Sequence, residues 1–234
     1  MNVKDDRGFN QGFKMKGSTV IRMKRRSDYI VSKFRENEAE SVLEIGCGRG
    51  EISYWIARDT HKQTLGTDLC ESFIENAKKT YILPNLKYSV VDFNREDDIP
   101  RSSFDYIIGN GILHHLYHSL DESLTTMRKI LKVNGKIIFI EPNIYNPYIA
   151  LIFKNRLGRK LANLEPDEMA FSDTFIKGKL ERNGFRDIHV EFRDFLLPGL
   201  PNWMVRPSIA LGNVLEKIPM INRVSQSIFI HATK

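Results

Sequence analysis

Val42-Leu43-Glu44-Ile45-Gly46-Cys47-Gly48-Arg49-Gly50 is the segment on which the architecture turns. A short apolar run carries an acid and then breaks into a turn with glycine at every second position. The residues that follow, Glu51 to Asp59, set Ile52, Trp55 and Ile56 on one face of a helix. Strand, glycine turn and helix in that order build a corner suited to a nucleotide. Glycine accepts positive φ and lets backbone approach a ligand that a Cβ would push away. The helix start adds N–H groups with no intrahelical partner. The spacing is G-x-G-x-G, which differs from the G-x-G-x-x-G of a dinucleotide pyrophosphate site.

On either side of this corner, apolar runs alternate with helical patterns. Strands are expected at 41–46, 63–67, 86–91, 104–109 and 135–141, and helices near 50–59, 71–81, 120–132 and 172–183. Ser18 is placed to cap a helix running to about Phe34. Such alternation predicts βαβ units and a parallel sheet. Beyond Pro142 the rhythm breaks, and 143–170 reads as an insertion. Arg186–Phe195 reads as a strand, 196–222 as a second irregular stretch with Pro198, Pro201, Pro207 and Pro219, and Ser225–Thr233 as a last strand. With no crossover helix between them, the final two strands are expected to be antiparallel.

At 234 residues the chain suits one α/β domain, with 1–36 as an N-terminal arm and cap helix. Its 41% apolar and 27% charged residues are ordinary for a globular protein. No secretory pattern opens the sequence, and Cys47 and Cys70 make neither a disulfide framework nor a metal site. A cytoplasmic protein is expected. The net charge of +6 is clustered: Lys14, Lys16, Arg22, Lys24, Arg25 and Arg26 in one group, Lys154, Arg156, Arg159 and Lys160 in another. A solvated helix face accounts for such clusters, and so does an acidic substrate, an anionic membrane surface or RNA.

Acids recur at the strand tips. Asp68 ends the second strand, placed to accept from ribose hydroxyls, although a helix cap would use the same position. Asp92 ends the third strand, where a carboxylate can accept from an adenine amine while Leu69 and Phe93 wall the ring. The fourth strand runs into Asn110-Gly111-Ile112-Leu113-His114-His115-Leu116, and the fifth reads Gly135 to Pro142 after an amphipathic helix.

These motifs, in order over residues 40–142, resemble the class I S-adenosylmethionine-dependent methyltransferases, and especially the small-molecule branch that includes ubiquinone-biosynthesis methyltransferases. The resemblance implies a Rossmann-like seven-stranded sheet of order 3-2-1-4-5-7-6, last strand antiparallel, with flanking helices and lid insertions. It implies S-adenosyl-L-methionine as cofactor. Glu44, Gly46, Cys47, Gly48 and Gly50 would shape the methionine and ribose pocket. Asp68 would hold the ribose, Asp92 with Phe93 the adenine, with Leu69 a further wall to that ring, and Asn110 would add a further cofactor contact.

The sulfonium carries an activated methyl group, so alignment of the acceptor supplies much of the catalysis. A hydroxyl acceptor benefits from a base, and His115, with His114 beside it, is the candidate. His114, His115 and His118 with Glu141 also invite a metal reading, but His114 and His118 share a face only on a helix, and no metal is expected. Acceptor choice is expected to lie in the arm with Phe9 and Phe13, in 143–170 and in 196–222. Tyr145, Tyr148, Phe153, Phe171, Phe195, Trp203 and Met204 there would line an apolar pocket or form the lid's own core. Ile149–Phe153 followed by basic residues also resembles a segment lying beside anionic lipid. The expected activity is methylation of a small molecule at oxygen or nitrogen, such as an apolar, lipid-linked or glycan-type metabolite. The alternatives are an RNA methyltransferase, a catalytically silent S-adenosylmethionine-binding module and, less compatible with the glycine spacing, a nicotinamide dehydrogenase.

Overall fold

The structure is a computed structural model that describes residues 17–36, 40–93, 99–161, 164, 168–197 and 199–234. Its strands are β1 (Ser41–Ile45), β2 (Gln63–Asp68), β3 (Leu86–Val90), β4 (Phe104–Asn110), β5 (Leu131–Pro142), β6 (Arg186–Arg193) and β7 (Ser227–Thr233). They form one seven-stranded sheet of order β3-β2-β1-β4-β5-β7-β6, as the family resemblance implied. β1 pairs in parallel with β2 and β4, and β7 runs antiparallel to both β5 and β6.

Successive strand residues point to opposite faces, and both faces are covered. Leu43, Ile107, Ile137, Phe139 and Ile230 face one layer, where they meet α4 (Leu120–Ile130) and α7 (Asp173–Arg182) through Leu124, Met127, Ile176 and Leu180. Val42, Tyr106, Ile108, Ile138 and Phe229 face the other. There they meet α1 (Ser18–Val31) through Ile30 and α2 (Glu51–Thr60) through Ile52 and Ile56. A third cluster packs α3 (Glu71–Thr80) against β3 through Ile74, Ala77 and Tyr88. Acids in the first turn of α4 (Asp121, Glu122) and bases in its last (Arg128, Lys129) complement its dipole.

Several expectations need correction. The stretch 196–222 is not irregular throughout: α8 (Asn202–Leu215) lies within it, with Pro207 inside the helix. A helix therefore does connect β6 to β7, yet the two strands are antiparallel. The reason lies where the connection begins and ends. Asp194 N–H donates to Glu216 at 2.9 Å and Gln226 N–H to the Asp194 carbonyl at 3.0 Å, so the chain leaves and re-enters at the same end of the sheet. Within 143–170 lie α5 (Pro147–Lys154) and α6 (Arg156–Leu161). α5 starts at an Asn cap, with the Asn146 side chain accepting from Tyr148 and Ile149 N–H, and Pro147 in its first turn. Ser18 is the first residue of α1 rather than its cap, which is Gly17.

The N-terminal basic cluster is not wholly a solvated face either. Arg26 is buried, and its guanidinium reaches Asp194, Asn110 and Ser227 at 2.7 Å each. Arg22 Nε donates to the same Asp194 at 2.6 Å, and burial lowers its pKa to about 10. The arm residues Phe9, Phe13, Lys14 and Lys16 lie outside the described residues.

Candidate active site

The carboxyl ends of β1, β2 and β4 converge with the helix that follows β1, and there the glycine loop stands. Gly46, Gly48 and Gly50 have φ of 66°, 53° and 88°, a conformation that costs a side-chain-bearing residue about 1–2 kcal/mol. What surrounds them differs. A Cβ on Gly50 would stand 2.6 Å from the Tyr88 hydroxyl, so that glycine allows close packing of loop and strand. A Cβ on Gly48 would meet nothing within 4 Å, so its backbone borders open space.

Glu44 does not line that space. It is fully buried beneath the loop, where Ser53 at the start of α2 donates to it, and desolvation pushes its carboxyl up to about 8 despite that bond. Cys47 is also buried, its N–H donating to the Thr67 carbonyl at 2.8 Å. Asp68 stands at the tip of β2. Its carboxylate accepts from Gly48 N–H and Cys70 N–H, each at 2.9 Å, and burial raises its pKa. It therefore fastens the glycine loop to β2, as a capping acid would, with acceptor capacity left on a four-lone-pair carboxylate. Leu69 is exposed beside it, whereas Phe93 is built into the core with Val91 and Ile99. Only Leu69 of that pair offers an open wall. Asp92 is half-buried just beyond β3. Asn110 ends β4, with its side-chain oxygen accepting from Arg26.

The rim after β4 is a 3₁₀ segment, Leu113–Ser119. Glu141, near the end of β5, caps it by accepting from the N–H groups of Ile112 at 3.0 Å and Leu113 at 2.8 Å. The same carboxylate bonds His114 Nδ1 at 2.8 Å. His114 is thus buried and fixed, while the adjacent His115 ring is exposed and lies tilted against it at 4.1 Å between centroids. His115 Nδ1 faces the buried carboxylate of Glu168 at 3.2 Å. A Cβ on Gly46 would stand 2.7 Å from Ile112, so the turn that leads into His115 lies against the glycine loop. His114, His115 and Glu168 bring ligand atoms within 4.8 Å of one another. His114 Nδ1 is on Glu141 and His115 Nδ1 faces Glu168, so each imidazole has its own carboxylate.

Sequence reasoning missed Glu168, Arg26 and Asp194. Arg26 and Asp194 bind α1 to the tip of β4 and to β7. An arginine among the neighbouring bases Arg22, Lys24 and Arg25 carries no signal of burial, and Glu168 sits in a segment without periodicity.

Residues 43–137 match the family model Methyltransf_12, described as a methyltransferase domain. Among curated proteins the chain is similar to the hybrid PKS-NRPS synthetase buaA of Petromyces alliaceus, 31% identical over 114 residues, which is 45% of this chain and 3% of that protein. It is similar to ribosomal RNA small subunit methyltransferase C of Yersinia pestis (strain Pestoides F), 30% identical over 135 residues, 54% of this chain and 37% of that one. The chain thus spans only a minor part of the length of these relatives. A SAM-dependent methyltransferase of Archaeoglobus fulgidus superposes with a TM-score of 0.65 at 19% identity, covering 97% of this chain and 98% of that one. Family match, strand order and glycine loop agree: residues 43–137 form a methyltransferase domain, and the chain has the class I methyltransferase fold.

Proposed function

We propose that this methyltransferase acts on a small-molecule acceptor, at oxygen or nitrogen, with His115 as general base. The observation that carries the reading is the exposed His115 imidazole backed by buried Glu168, on the turn whose Ile112 packs against Gly46 of the glycine loop.

S-adenosylmethionine fits the loop: Gly48 borders open space, and Asp68 retains acceptor capacity beside it. When bound, it supplies a methyl group activated by a sulfonium. The chain's own residues supply the rest. Gly46, Gly48 and Gly50 give backbone approach, Asp68 accepts from ribose hydroxyls, Leu69 offers an apolar wall and Asp92 an acceptor for an adenine amine. Glu168 accepts from Nδ1–H of His115, which fixes the tautomer whose Nε2 takes the proton from the acceptor O–H or N–H. Glu141 holds His114 and the 3₁₀ segment in place, so the rim is preorganised.

The similarity to an RNA small-subunit methyltransferase supports a second reading, in which the acceptor is RNA. The inward use of Arg22 and Arg26 weighs against it, because it removes two cations from any continuous basic stripe. Incubating the protein with methyl-tritiated S-adenosylmethionine and separate metabolite, lipid and RNA pools tests the choice. Label in a metabolite or lipid fraction is expected; label in RNA alone would replace the first reading with the second.

A further inference from the structure

The α5–α6 hairpin presents a surface that the fold leaves uncovered. Tyr148 and Leu151 on α5 are each 62% exposed, and Leu157 and Leu161 on α6 are 63% and 76% exposed. From Pro142 to Leu164 the sequence holds no acid but carries Lys154, Arg156, Arg159 and Lys160. Arg159 is used internally: its guanidinium donates to the carbonyls of Phe153 at 3.1 Å and Glu168 at 3.0 Å and ties the hairpin down. Lys154, Arg156 and Lys160 are exposed. The surface continues sideways. Asn146, the cap of α5, donates to the Val224 carbonyl at 2.6 Å, and Arg223 lies over the Tyr145 ring at 5.1 Å. The turn so joined carries Met220, 82% exposed, with Ile221 beside it.

We propose that this hairpin, with the 218–224 turn, docks on an anionic lipid bilayer. Charge complementarity selects that occupant. Large aliphatic side chains interleaved with cations and free of acids match an interface that has an apolar phase directly beneath phosphate groups. Folded RNA would satisfy the cations and leave the leucines in water. No helix of the described residues is long and apolar enough to cross a membrane, so these short helices would lie in the interface plane.

The hairpin's underside is the acceptor rim. The Phe153 ring packs edge-on to His114 at 6.3 Å between centroids, and Arg159 holds the segment bearing Glu168. Docking would therefore set the His115 side of the site against the bilayer, and, if the methyl-transfer reading above holds, an amphipathic acceptor would enter from the lipid.

Sedimentation of the full chain with phosphatidylcholine vesicles, with and without about one third phosphatidylglycerol, tests the docking itself. Pelleting is expected only with the anionic vesicles and is lost as salt rises. Lys154→Gln with Lys160→Gln should lower the partition coefficient about 30-fold. Leu157→Ser with Leu161→Ser should lower it as well, with S-adenosylhomocysteine affinity unchanged as the control for folding. Equal pelleting of wild type and the lysine variant overturns the proposal, as does no pelleting. Retention on transfer RNA through the same lysines without vesicle binding overturns it in favour of a nucleic-acid face. The assay requires no turnover, so its failure is separate from failure of the acceptor reading.

Discussion

Glu44 and His115 carry opposite demands. Glu44 is protonated at neutral pH because burial, reinforced by Glu51 and Asp68, moves its pKa from 4.5 to about 8 against the Ser53 bond. Since the folded value is the higher one, the folded state binds the extra proton. That stability is complete below the unfolded pKa and is lost as pH rises through about 8. Glu44→Gln keeps the shape and removes the proton, so its melting temperature should stay flat between about pH 5 and pH 9 where the wild type declines. Parallel curves for the two proteins would contradict the assignment. His115→Ala should lower turnover about a hundredfold and spare S-adenosylhomocysteine affinity. Glu168→Gln should lower kcat and leave S-adenosylhomocysteine affinity unchanged, because the His115 ring loses the carboxylate that orients it; an unchanged kcat would make Glu168 a packing residue only. The strand-tip acids were legible because spacing alone places them. Glu168 was not, because its partner is distant in sequence and no local pattern marks it.

The helix α1 is held to the sheet by a buried charge cluster. Burial alone would raise the Asp194 pKa, but Arg26 and Arg22 outweigh it and leave the carboxyl lowered. Its contribution is therefore present above the unfolded carboxylate pKa and lost as pH falls through the folded one. Asp194→Asn leaves two guanidiniums short of a counter-charge and should cost about 3–5 kcal/mol in urea unfolding. A change within experimental error would mean the cluster does not hold α1. Gly50→Ala forces a Cβ against Tyr88 in a left-handed conformation and should cost about 2–4 kcal/mol by the same measurement. Among the elements, α2 was legible from Ile52, Trp55 and Ile56 at helical spacing. α8 was hidden by Pro201, Pro207 and Pro219, which read as breakers, although Pro201 only precedes the helix and Pro207 is accommodated within it. Asn146-Pro147 did carry a helix-start signal, an Asx cap followed by proline, that a reading of the pair as irregular chain passes over.

Over the whole molecule, alternating strands and helices made the parallel core legible, since a buried parallel sheet writes its strands as short apolar runs such as Tyr106-Ile107-Ile108 and Ile137-Ile138-Phe139-Ile140. The antiparallel end was legible for the wrong reason. The β6–β7 connection is decided by Asp194, Glu216 and Gln226 meeting at one end of the sheet, a long-range closure that no local pattern encodes. The two insertions are least legible because their positions depend on side-chain bonds to distant carbonyls, such as Asn143 to Arg223 and Ser225. The central claim is that the glycine loop and Asp68 form the cofactor site of a methyltransferase. Titration calorimetry with S-adenosylhomocysteine on wild type and Asp68→Ala, run beside NAD, tests it most directly. The account predicts micromolar binding by the wild type, at least about tenfold weaker binding by the variant, and none of NAD. Equal affinity for the two proteins, or binding of NAD in place of S-adenosylhomocysteine, would contradict it.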